Sequence, residues 1–417
     1  MGGKRVLYLS YDGMTDPLGA SQVLPYLAGL SAVGHQITLI SFEKPERGET
    51  ERQAVRDQCA KIGIDWHPLS YHKRPPIFST VYDLMAMRRL ADRLHRQKRF
   101  DLVHCRSYLS AMVGHAMQAS LGVAFLFDMR GFWADERVEG GLWDLRKPIY
   151  RTVYDYFKRR ERLFLGDAAA IVSLTEAGKQ TMLARDDQAA ADTPMAVIPC
   201  CVNFDLFTPP TSERRDRARK ALAIEHDRKV FAYLGSIGTW YMLDEMLDCF
   251  AVQLTRDPES MLLFITRDDP ALIRDAASAK GIPSANLMIR AASREEVSLF
   301  LSAVDVGLFF IRPTFSKLAS CPTKLGEFLA AGIPVLTNRN VGDVDTQVEE
   351  SGAGALVDGF DTGSYEIALA TIERLPPRPQ EWRKSARKWF DLQTGIATYD
   401  AVYRSITDRK TSTRRGA

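Results

Sequence analysis

The chain has 417 residues, 46% of them apolar, and its 55 Lys and Arg residues nearly balance 52 Asp and Glu residues. This length and apolar share favour two domains, each with its own buried core. The near-neutral balance argues against a protein that binds nucleic acid, which would need a basic surface. Apolar runs stay short of the roughly 20 residues that span a bilayer. The first run is too short for a signal peptide, and the six cysteines are scattered. The sequence therefore predicts a cytoplasmic protein without structural disulfides or zinc.

Short apolar runs alternate with longer amphipathic stretches along the whole chain. This is the pattern of parallel strands that are buried on both faces and joined by helices. In the first half, the runs that predict strands are 6–10, 36–41, 102–105, 124–128, 169–173 and 195–199. In the second half they are 229–235, 261–266, 286–289, 304–310 and 334–338.

The run of strands starts again after a charged, proline-rich stretch at 208–215, which we interpret as a linker. We place an N-terminal domain at 1–207 and a C-terminal domain at 216–380. The remainder, 381–417, is predicted as a helix with a basic tail, and one option is that this helix crosses back to the N-terminal domain. The pattern predicts an α/β fold of two Rossmann-like domains with parallel sheets, whose ligand loops follow the strands and face a cleft.

The loop after the first strand, 12–22, leads into a helix that we expect to reach about Gly34. A helix N-terminus suits a phosphate or sugar hydroxyls, and Gly19 would let the backbone approach a ligand closely. The alternative is an ordinary strand-to-helix turn. The loop is not Gly-x-Gly-x-x-Gly, which counts against a dinucleotide-dependent dehydrogenase.

Charged and aromatic residues crowd the loop after the fourth predicted strand, where Arg130, Trp133 and Glu136 follow Asp128. Carboxylates and a guanidinium can hydrogen-bond sugar hydroxyls, and an indole can stack on a sugar ring. We therefore predict an acceptor site here. The alternative is an ion-paired surface loop.

The first loop of the second half contains Gly235, Ser236, Gly238 and Thr239 ahead of a helix. Two glycines and two hydroxyls before a helix start predict a cradle for an anion. The alternative, a tight turn, would leave the adjacent Trp-Tyr pair at 240–241 unexplained.

A second candidate anion site follows the strand that ends at Phe310. Pro322 suits the first turn of a helix, which places Lys324 in that turn and Glu327 one turn later on the same face. The N–H groups of Thr323 and Lys324 would point out of the helix end toward a phosphate, and Glu327 would reach ribose hydroxyls. The alternative is a Lys–Glu pair on the surface.

Segment 322–335, Pro-Thr-Lys-Leu-Gly-Glu-Phe-Leu-Ala-Ala-Gly-Ile-Pro-Val, resembles the donor-site helix of the family-4 retaining glycosyltransferases, which have the GT-B fold. The loop through 34–38 is similar to the first βαβ unit of that family, and 197–209 to its hinge segment. Segments 128–133 and 235–241 look like variants from members that assemble polysaccharides. The resemblance spans nearly the whole chain, and the order and spacing of its segments make it specific.

This resemblance implies a transferase that moves a sugar, with retention, from a nucleotide-diphosphate-sugar to a hydroxyl acceptor, a carbohydrate or lipid-linked glycan. The C-terminal domain would bind the donor and the N-terminal domain the acceptor. Lys324 would stabilise the leaving diphosphate, with Arg130, Arg267 and Arg312 as weaker candidates for this role. Asp128 would orient the acceptor hydroxyl. Members of this fold typically need no bound metal, although Asp343 and Asp345 form an Asp-x-Asp motif.

Four positions depart from the family pattern. Glu327 matches the second acid of the family's Glu-x7-Glu motif, but Ala319 stands at the first. Ser236 and Tyr241 stand where the family often has Arg and Lys on the diphosphate, and Arg130 stands where a His is common. These departures keep open a catalytically inactive homologue that serves as a scaffold. The sequence is also compatible with an epimerase of the same fold that acts on a nucleotide sugar, and with a two-lobed solute-binding protein.

A basic amphipathic helix is predicted at 146–164. Ile149, Val153, Tyr156, Phe157 and Phe164 recur at helical spacing among seven Lys and Arg residues. Such a helix can lie on an anionic bilayer, which suggests peripheral contact with the inner face of the membrane. The alternative is a helix that buries its apolar face in its own domain.

Overall fold

The computed structural model describes residues 2–184 and 192–413, with side chains up to residue 406. The chain divides into two compact units. The first unit is Met1–Pro199 with Leu392–Ala417, and the second unit is Cys200–Asp391. In the part of the chain that the structure describes, no helix is both long and apolar enough to cross a membrane.

The first unit is built on a parallel sheet of seven strands in the order β3-β2-β1-β4-β5-β6-β7. The strands are β1 Arg5–Ser10, β2 Gln36–Glu43, β3 Asp65–Ser70, β4 Leu102–Arg106, β5 Ala124–Asp128, β6 Ala170–Ser173 and β7 Met195–Val197. The helices are α1 Pro17–Gln22, α2 Leu24–Ala32, α3 Glu49–Lys61, α4 Phe78–Lys98, α5 Ser107–Leu121, α6 Trp133–Glu139, α7 Pro148–Asp167 and α8 Glu176–Leu183. The last residues of three neighbouring strands lie level, because Ser10 pairs with Arg106 and Arg106 with Asp128.

The second unit is built on a parallel sheet of six strands in the order β10-β9-β8-β11-β12-β13. The strands are β8 Val230–Leu234, β9 Met261–Ile265, β10 Leu287–Arg290, β11 Val306–Leu308, β12 Val335–Asn338 and β13 Gly354–Val357. The helices are α9 Ser212–Leu222, α10 Leu243–Arg256, α11 Pro270–Ala279, α12 Arg294–Leu301, α13 Thr323–Ala330, α14 Val344–Ser351, α15 Thr362–Arg374 and α16 Pro379–Phe390. Short 3-10 turns lie at Ser284–Asn286 and Phe315–Ala319.

The predicted fold class is confirmed: two α/β domains, each with a parallel sheet. Two strands, β3 and β13, were not predicted from the sequence. Both lie at an edge of their sheet, and β3 is only half-buried, so it lacks the continuous apolar run of a central strand.

The units divide between Pro199 and Cys200, eight residues before the stretch predicted as the linker, because the segment after Pro199 packs within the second unit. The Val202 N–H donates to the Phe390 carbonyl at 2.8 Å, and the Arg383 guanidinium donates to the carbonyls of Phe204 and Phe207.

The C-terminal region is two helices rather than the one that was predicted. The helix is interrupted at Asp391. The last helix, α17 Leu392–Thr413, belongs to the first unit. There it packs on α2 and β4. The final four residues of the predicted basic tail lie outside the described residues.

Candidate active site

The start of helix α13 is formed as the sequence predicts. Pro322 is the residue just before the helix, Lys324 lies in the first turn and Glu327 one turn later. The N–H groups of Thr323 and Lys324 have no acceptor among the described residues. Lys324 and Glu327 are only 5% and 6% exposed, so they are not the surface pair that was the alternative.

Lys324 is held by aromatic rings. Its ammonium donates to the Tyr233 hydroxyl at 3.0 Å and lies 3.2 Å from the centre of the Tyr241 ring. No carboxylate in the described part of the chain forms an ion pair with it. Burial lowers the pKa of Lys324 well below its usual range, although the charges of Glu327 and Asp268 act in the opposite direction. A buried cation that only rings and a hydroxyl contact is suited to receive an anion.

The glycine loop after β8 lies against this lysine. A Cβ at Gly235, whose φ is +105°, would lie 3.8 Å from the Lys324 ammonium. Asp268, just after β9, accepts hydrogen bonds from the Ser236 hydroxyl at 3.0 Å and from the Ile237 N–H. Ser236 therefore helps to shape the loop, and Gly238 and Thr239 are exposed beyond it.

The Trp-Tyr pair ties two loops together. The Arg312 N–H donates to the Trp240 carbonyl at 3.0 Å, and Tyr241 forms a bridge with Ile311. Each ring makes a cation–π contact with one lysine. The Lys317 ammonium lies 3.7 Å from the centre of the Trp240 ring, and the Lys324 ammonium lies over the Tyr241 ring. This contact accounts for the pair, which a simple turn would not explain. Lys317 belongs to the 3-10 turn that also contains the buried Ala319.

Glu327 is paired with a residue that the sequence analysis missed. Its carboxylate lies 3.1 Å from the Arg294 guanidinium at the start of α12. Burial raises the pKa of Glu327, and Arg294 counters part of that effect. Arg294 lies 33 residues away in the chain, so only the fold brings the two together. Asp268 follows a predicted strand and could have been found by the same rule that selected Arg267.

The two remaining basic candidates of this unit lie on its surface. Arg267 and Arg312 are exposed, and within residues 2–184 and 192–413 neither has a carboxylate partner. The structure does not bring Arg267 into the Lys324 cluster.

Asp128 is enclosed in the first unit. It is 1% exposed, accepts a hydrogen bond from the Tyr399 hydroxyl at 3.0 Å and lies 3.2 Å from His104 Nε2. The other nitrogen of His104 lies 2.7 Å from the Tyr403 hydroxyl. Burial opposes the charge of Asp128, but Arg130 and His104 outweigh it and its pKa is lowered. The contacts with Tyr399 and His104 are both made by Oδ2, while the buried Oδ1 has no hydrogen-bond partner among the described residues, and the role of Asp128 toward an acceptor hydroxyl stays a prediction.

Arg130 and Arg106 place two guanidinium groups at the carboxyl edge of the first sheet. Arg130 has a left-handed backbone, with φ of +59°, and lies 3.8 Å from Asp128. Arg106, which the sequence analysis missed, donates to Asp12 at 3.2 Å and has a buried Nη1 without a hydrogen-bond partner. Each guanidinium thus faces a carboxylate, and the Arg106 Nη1 keeps a hydrogen-bond donor, unused within the described part of the chain, beside the loop after β1.

Trp133 packs inside its own domain. Its ring stacks on Tyr108 with centroids 5.9 Å apart, contacts Phe157 edge-on at 4.8 Å and is covered by the Arg137 guanidinium. Glu136 is half-buried on the same short helix. The aromatic cluster accounts for Trp133 without a sugar, and the acceptor roles of both residues stay predictions.

Gly19 serves protein packing. It lies inside α1, and a Cβ there would come within 2.3 Å of the Gly13 carbonyl oxygen. A close backbone approach is thus made to the preceding loop, and the donor-binding role of Gly19 stays a prediction.

The Asp-x-Asp motif is engaged within the protein. Asp345 accepts a hydrogen bond from the Asn340 N–H at 3.1 Å and lies 3.8 Å from Arg339. Among the described residues, no group of three or more His, Cys, Asp or Glu side chains is placed to hold a metal ion.

The apolar stripe that was predicted for helix α7 is buried only in part. Phe157 and Phe164 are buried in the domain, as the alternative expected, whereas Ile149 and Tyr156 are exposed. The aromatic half of the stripe is therefore core.

Comparisons with known proteins identify the class of enzyme to which this chain is similar. Residues 19–201 match the family model described as "Glycosyl transferase 4-like domain", and residues 214–389 match "Glycosyl transferases group 1". A D-inositol 3-phosphate glycosyltransferase of Catenulispora acidiphila is 24% identical over 76% of this chain and 73% of its own length.

Solved structures share the fold. Sucrose-phosphate synthase from Thermosynechococcus elongatus has a TM-score of 0.76 at 16% identity and covers 97% of this chain and 100% of its own. Anabaena HepE in complex with UDP-glucose has a TM-score of 0.66 at 13% identity, over 98% and 100% of the two chains. The protein is thus a two-domain α/β transferase of the GT-B type. By both domain models and by its relatives, it is a glycosyltransferase.

Proposed function

We propose that this glycosyltransferase takes its sugar from a nucleotide-diphosphate-sugar, bound by the second unit, and passes it to a hydroxyl of a carbohydrate or lipid-linked glycan in polysaccharide synthesis. The observation that carries the donor assignment is Lys324, a buried cation with aromatic partners and the free N–H groups of a helix start beside it. The complexes of HepE with UDP and UDP-glucose are consistent with such a donor.

In the proposed reaction, the bond between the anomeric carbon and the diphosphate oxygen breaks, and negative charge grows on that oxygen. Lys324 and the N–H groups of Thr323 and Lys324 would stabilise this charge, because they are already positioned and need no reorganisation. The acceptor oxygen forms the new bond to the anomeric carbon, and its proton passes to the leaving diphosphate oxygen. Following the family resemblance, we propose transfer with retention and without a bound metal ion.

Glu327 is proposed to accept hydrogen bonds from the ribose hydroxyls. Its ion pair with Arg294 at 3.1 Å favours the ionised carboxylate and holds it in place, while burial keeps the pKa of Glu327 raised. The raised pKa that burial imposes would otherwise favour the neutral acid, which is a poorer acceptor.

The carboxyl edge of the first sheet is the proposed acceptor side. Its guanidinium groups, Arg106 and Arg130, suit an acceptor with an anionic group, such as a phosphate. The curated relatives are named for a phosphorylated acceptor, inositol 3-phosphate. We propose that the enzyme works at the cytoplasmic face of the membrane, where lipid-linked acceptors would be available.

The test is a donor screen. The protein is incubated with a panel of UDP-, GDP- and ADP-sugars, with and without phosphorylated and lipid-linked acceptors, and released nucleoside diphosphate and glycosylated product are measured. Acceptor-dependent release together with a mass-identified product supports transfer. A changed sugar without nucleotide release would indicate an epimerase, and binding without turnover would indicate an inactive homologue.

A further inference from the structure

The first eight residues of helix α4 and the residue before it form an apolar tip that the rest of the protein leaves uncovered. Phe78 is 75% exposed and Tyr82 is 55% exposed. The remaining exposed members of the tip are Ile77, Val81 and Met85. Soluble domains rarely expose large apolar side chains in such a group, and a group of this kind marks a contact surface.

These side chains share one face of the helix. Phe78, Val81, Tyr82 and Met85 follow helical spacing and are exposed. Ser79, Asp83 and Met87, on the other face of the same helix, are buried against the domain. The same outer face continues with Arg89, Arg93 and Arg96, all exposed. The face is therefore apolar for two turns and basic for the next turns, with Arg89 about 16 Å along the helix from Phe78.

The charge around the tip has one sign. Residues 71–99 contain eight Lys and Arg residues but only two Asp residues. Asp83 is buried and Asp92 is paired with Arg88. Lys73 and Arg74, immediately before the tip, are exposed, and neither forms an ion pair within the described part of the chain. A partner for this surface must offer both an apolar interior and negative charge.

The tip is anchored at the carboxyl edge of the first sheet. It follows β3, and Asp83 accepts a hydrogen bond from the Tyr11 hydroxyl at 2.9 Å and lies 2.6 Å from His72 Nδ1. Tyr11 also packs edge-on against Tyr71 and directly precedes the loop that contains Asp12. The tip thus stands beside the edge to which we assign the acceptor.

We propose that residues 73–96 form a docking surface for an anionic lipid bilayer, with the side chains of the tip inserted among the acyl chains and the basic side chains at the level of the head groups. Apolar insertion together with basic attraction is the combination that such binding requires. Helix α7, for which membrane contact was one of the two roles considered, buries its Phe157 and Phe164 in the domain. If the proposed transfer reaction also holds, this surface would bring the acceptor edge to a lipid-linked acceptor.

The experiment is flotation of the full-length protein with vesicles of phosphatidylcholine alone and of phosphatidylcholine with phosphatidylglycerol. The wild type is expected to float with the anionic vesicles and to be released by high salt. The double variant Phe78→Ser with Tyr82→Ser should bind at least about tenfold more weakly, because its two most exposed rings are gone. The matched control, Ile149→Ser with Tyr156→Ser on α7, should bind like the wild type.

A second readout reports insertion directly. In Phe78→Cys, a polarity-sensitive dye attached to the new thiol should shift to the blue on anionic vesicles, and the native cysteines will not compete because all six are buried. All these substitutions are at exposed positions, so the melting temperature should not change.

Three results would overturn the proposal. These are a wild type that does not float with anionic vesicles, equal loss in both double variants, or a wild-type dimer that Phe78→Ser with Tyr82→Ser dissociates. The last result would assign the tip to self-association. Flotation uses no nucleotide sugar and the donor screen uses no vesicles, so failure of one leaves the other standing.

Discussion

The Lys324 ammonium lies 3.2 Å from the centre of the Tyr241 ring, and the Tyr233 hydroxyl accepts its hydrogen bond. Tyr241 stands where related transferases often carry a second cation. The Tyr241 ring therefore supports the charge of Lys324 rather than replacing it. In the proposed reaction, the charge that the diphosphate meets at this place is concentrated on Lys324.

Replacement of Lys324 by Ala should lower turnover by roughly a hundredfold or more, as expected for the loss of one preorganised charge stabiliser. Steady-state kinetics on the donor identified by the screen would measure this. Lys280→Ala is the matched control, because that lysine pairs with Asp248 at 2.7 Å, away from the Lys324 cluster. Unchanged turnover with a raised Michaelis constant would make Lys324 a binding residue and the proposed role wrong.

Tyr241→Leu should lower turnover by about tenfold, because a contact between a buried cation and a ring is worth about 1–2 kcal/mol. Tyr241→Phe keeps the ring and should retain most of the activity. The comparison of the two variants at equal donor saturation isolates the ring from the hydroxyl. Equal loss in both variants would show that the phenol, not the ring face, is what matters.

Glu327→Ala should weaken nucleoside diphosphate binding by about 1–3 kcal/mol, the range for lost hydrogen bonds to a charged group. Isothermal titration calorimetry on the folded variant measures it. Arg294→Ala should weaken binding in the same direction, since the buried carboxylate then loses its only ion-pair partner among the described residues. Unchanged affinity in a folded Glu327→Ala protein would remove the ribose assignment.

The stability of the first unit should fall as the pH drops from 7 to 5. Burial lowers the pKa of His104, so the folded state keeps this imidazole neutral while the unfolded chain takes up a proton below its ordinary pKa. One such proton changes the free energy of unfolding by up to about 1.4 kcal/mol per pH unit. The lowered pKa of Asp128 acts only at more acidic pH, where the unfolded carboxyl becomes protonated.

Urea unfolding at pH 5, 6 and 7 would measure this dependence. His104→Gln should be less stable at pH 7 but should show a shallower pH dependence. His226→Gln is the control, because its side chain is 80% exposed. A His104→Gln slope equal to that of the wild type would contradict the assignment.

Transfer should survive chelation. Asp345 is already engaged by Asn340 and Arg339, and we propose that Lys324 supplies the charge stabilisation that a metal would otherwise give. Activity in EDTA, compared with activity after addition of manganese or magnesium, tests this directly. If activity is lost in EDTA and either ion restores it, Asp343 and Asp345 would again be candidate metal ligands.

The sequence by itself determined the features that depend on local pattern. Fully buried strands such as Val230–Leu234 are apolar runs because both faces of a central parallel strand are covered. The start of α13 was equally predictable, since Pro322 and the three-residue spacing of Lys324 and Glu327 are properties of one helix turn.

Only the tertiary structure decided which side chains meet. Tyr399 reaches Asp128 from 271 residues away, a contact that no local pattern in the sequence indicates. Arg294 joins Glu327, and Tyr233 joins Lys324 from inside a strand. The exposure of Phe78 and Tyr82 could likewise not be predicted from the sequence. An apolar helix face has the same sequence pattern whether a neighbouring element covers it or the solvent contacts it.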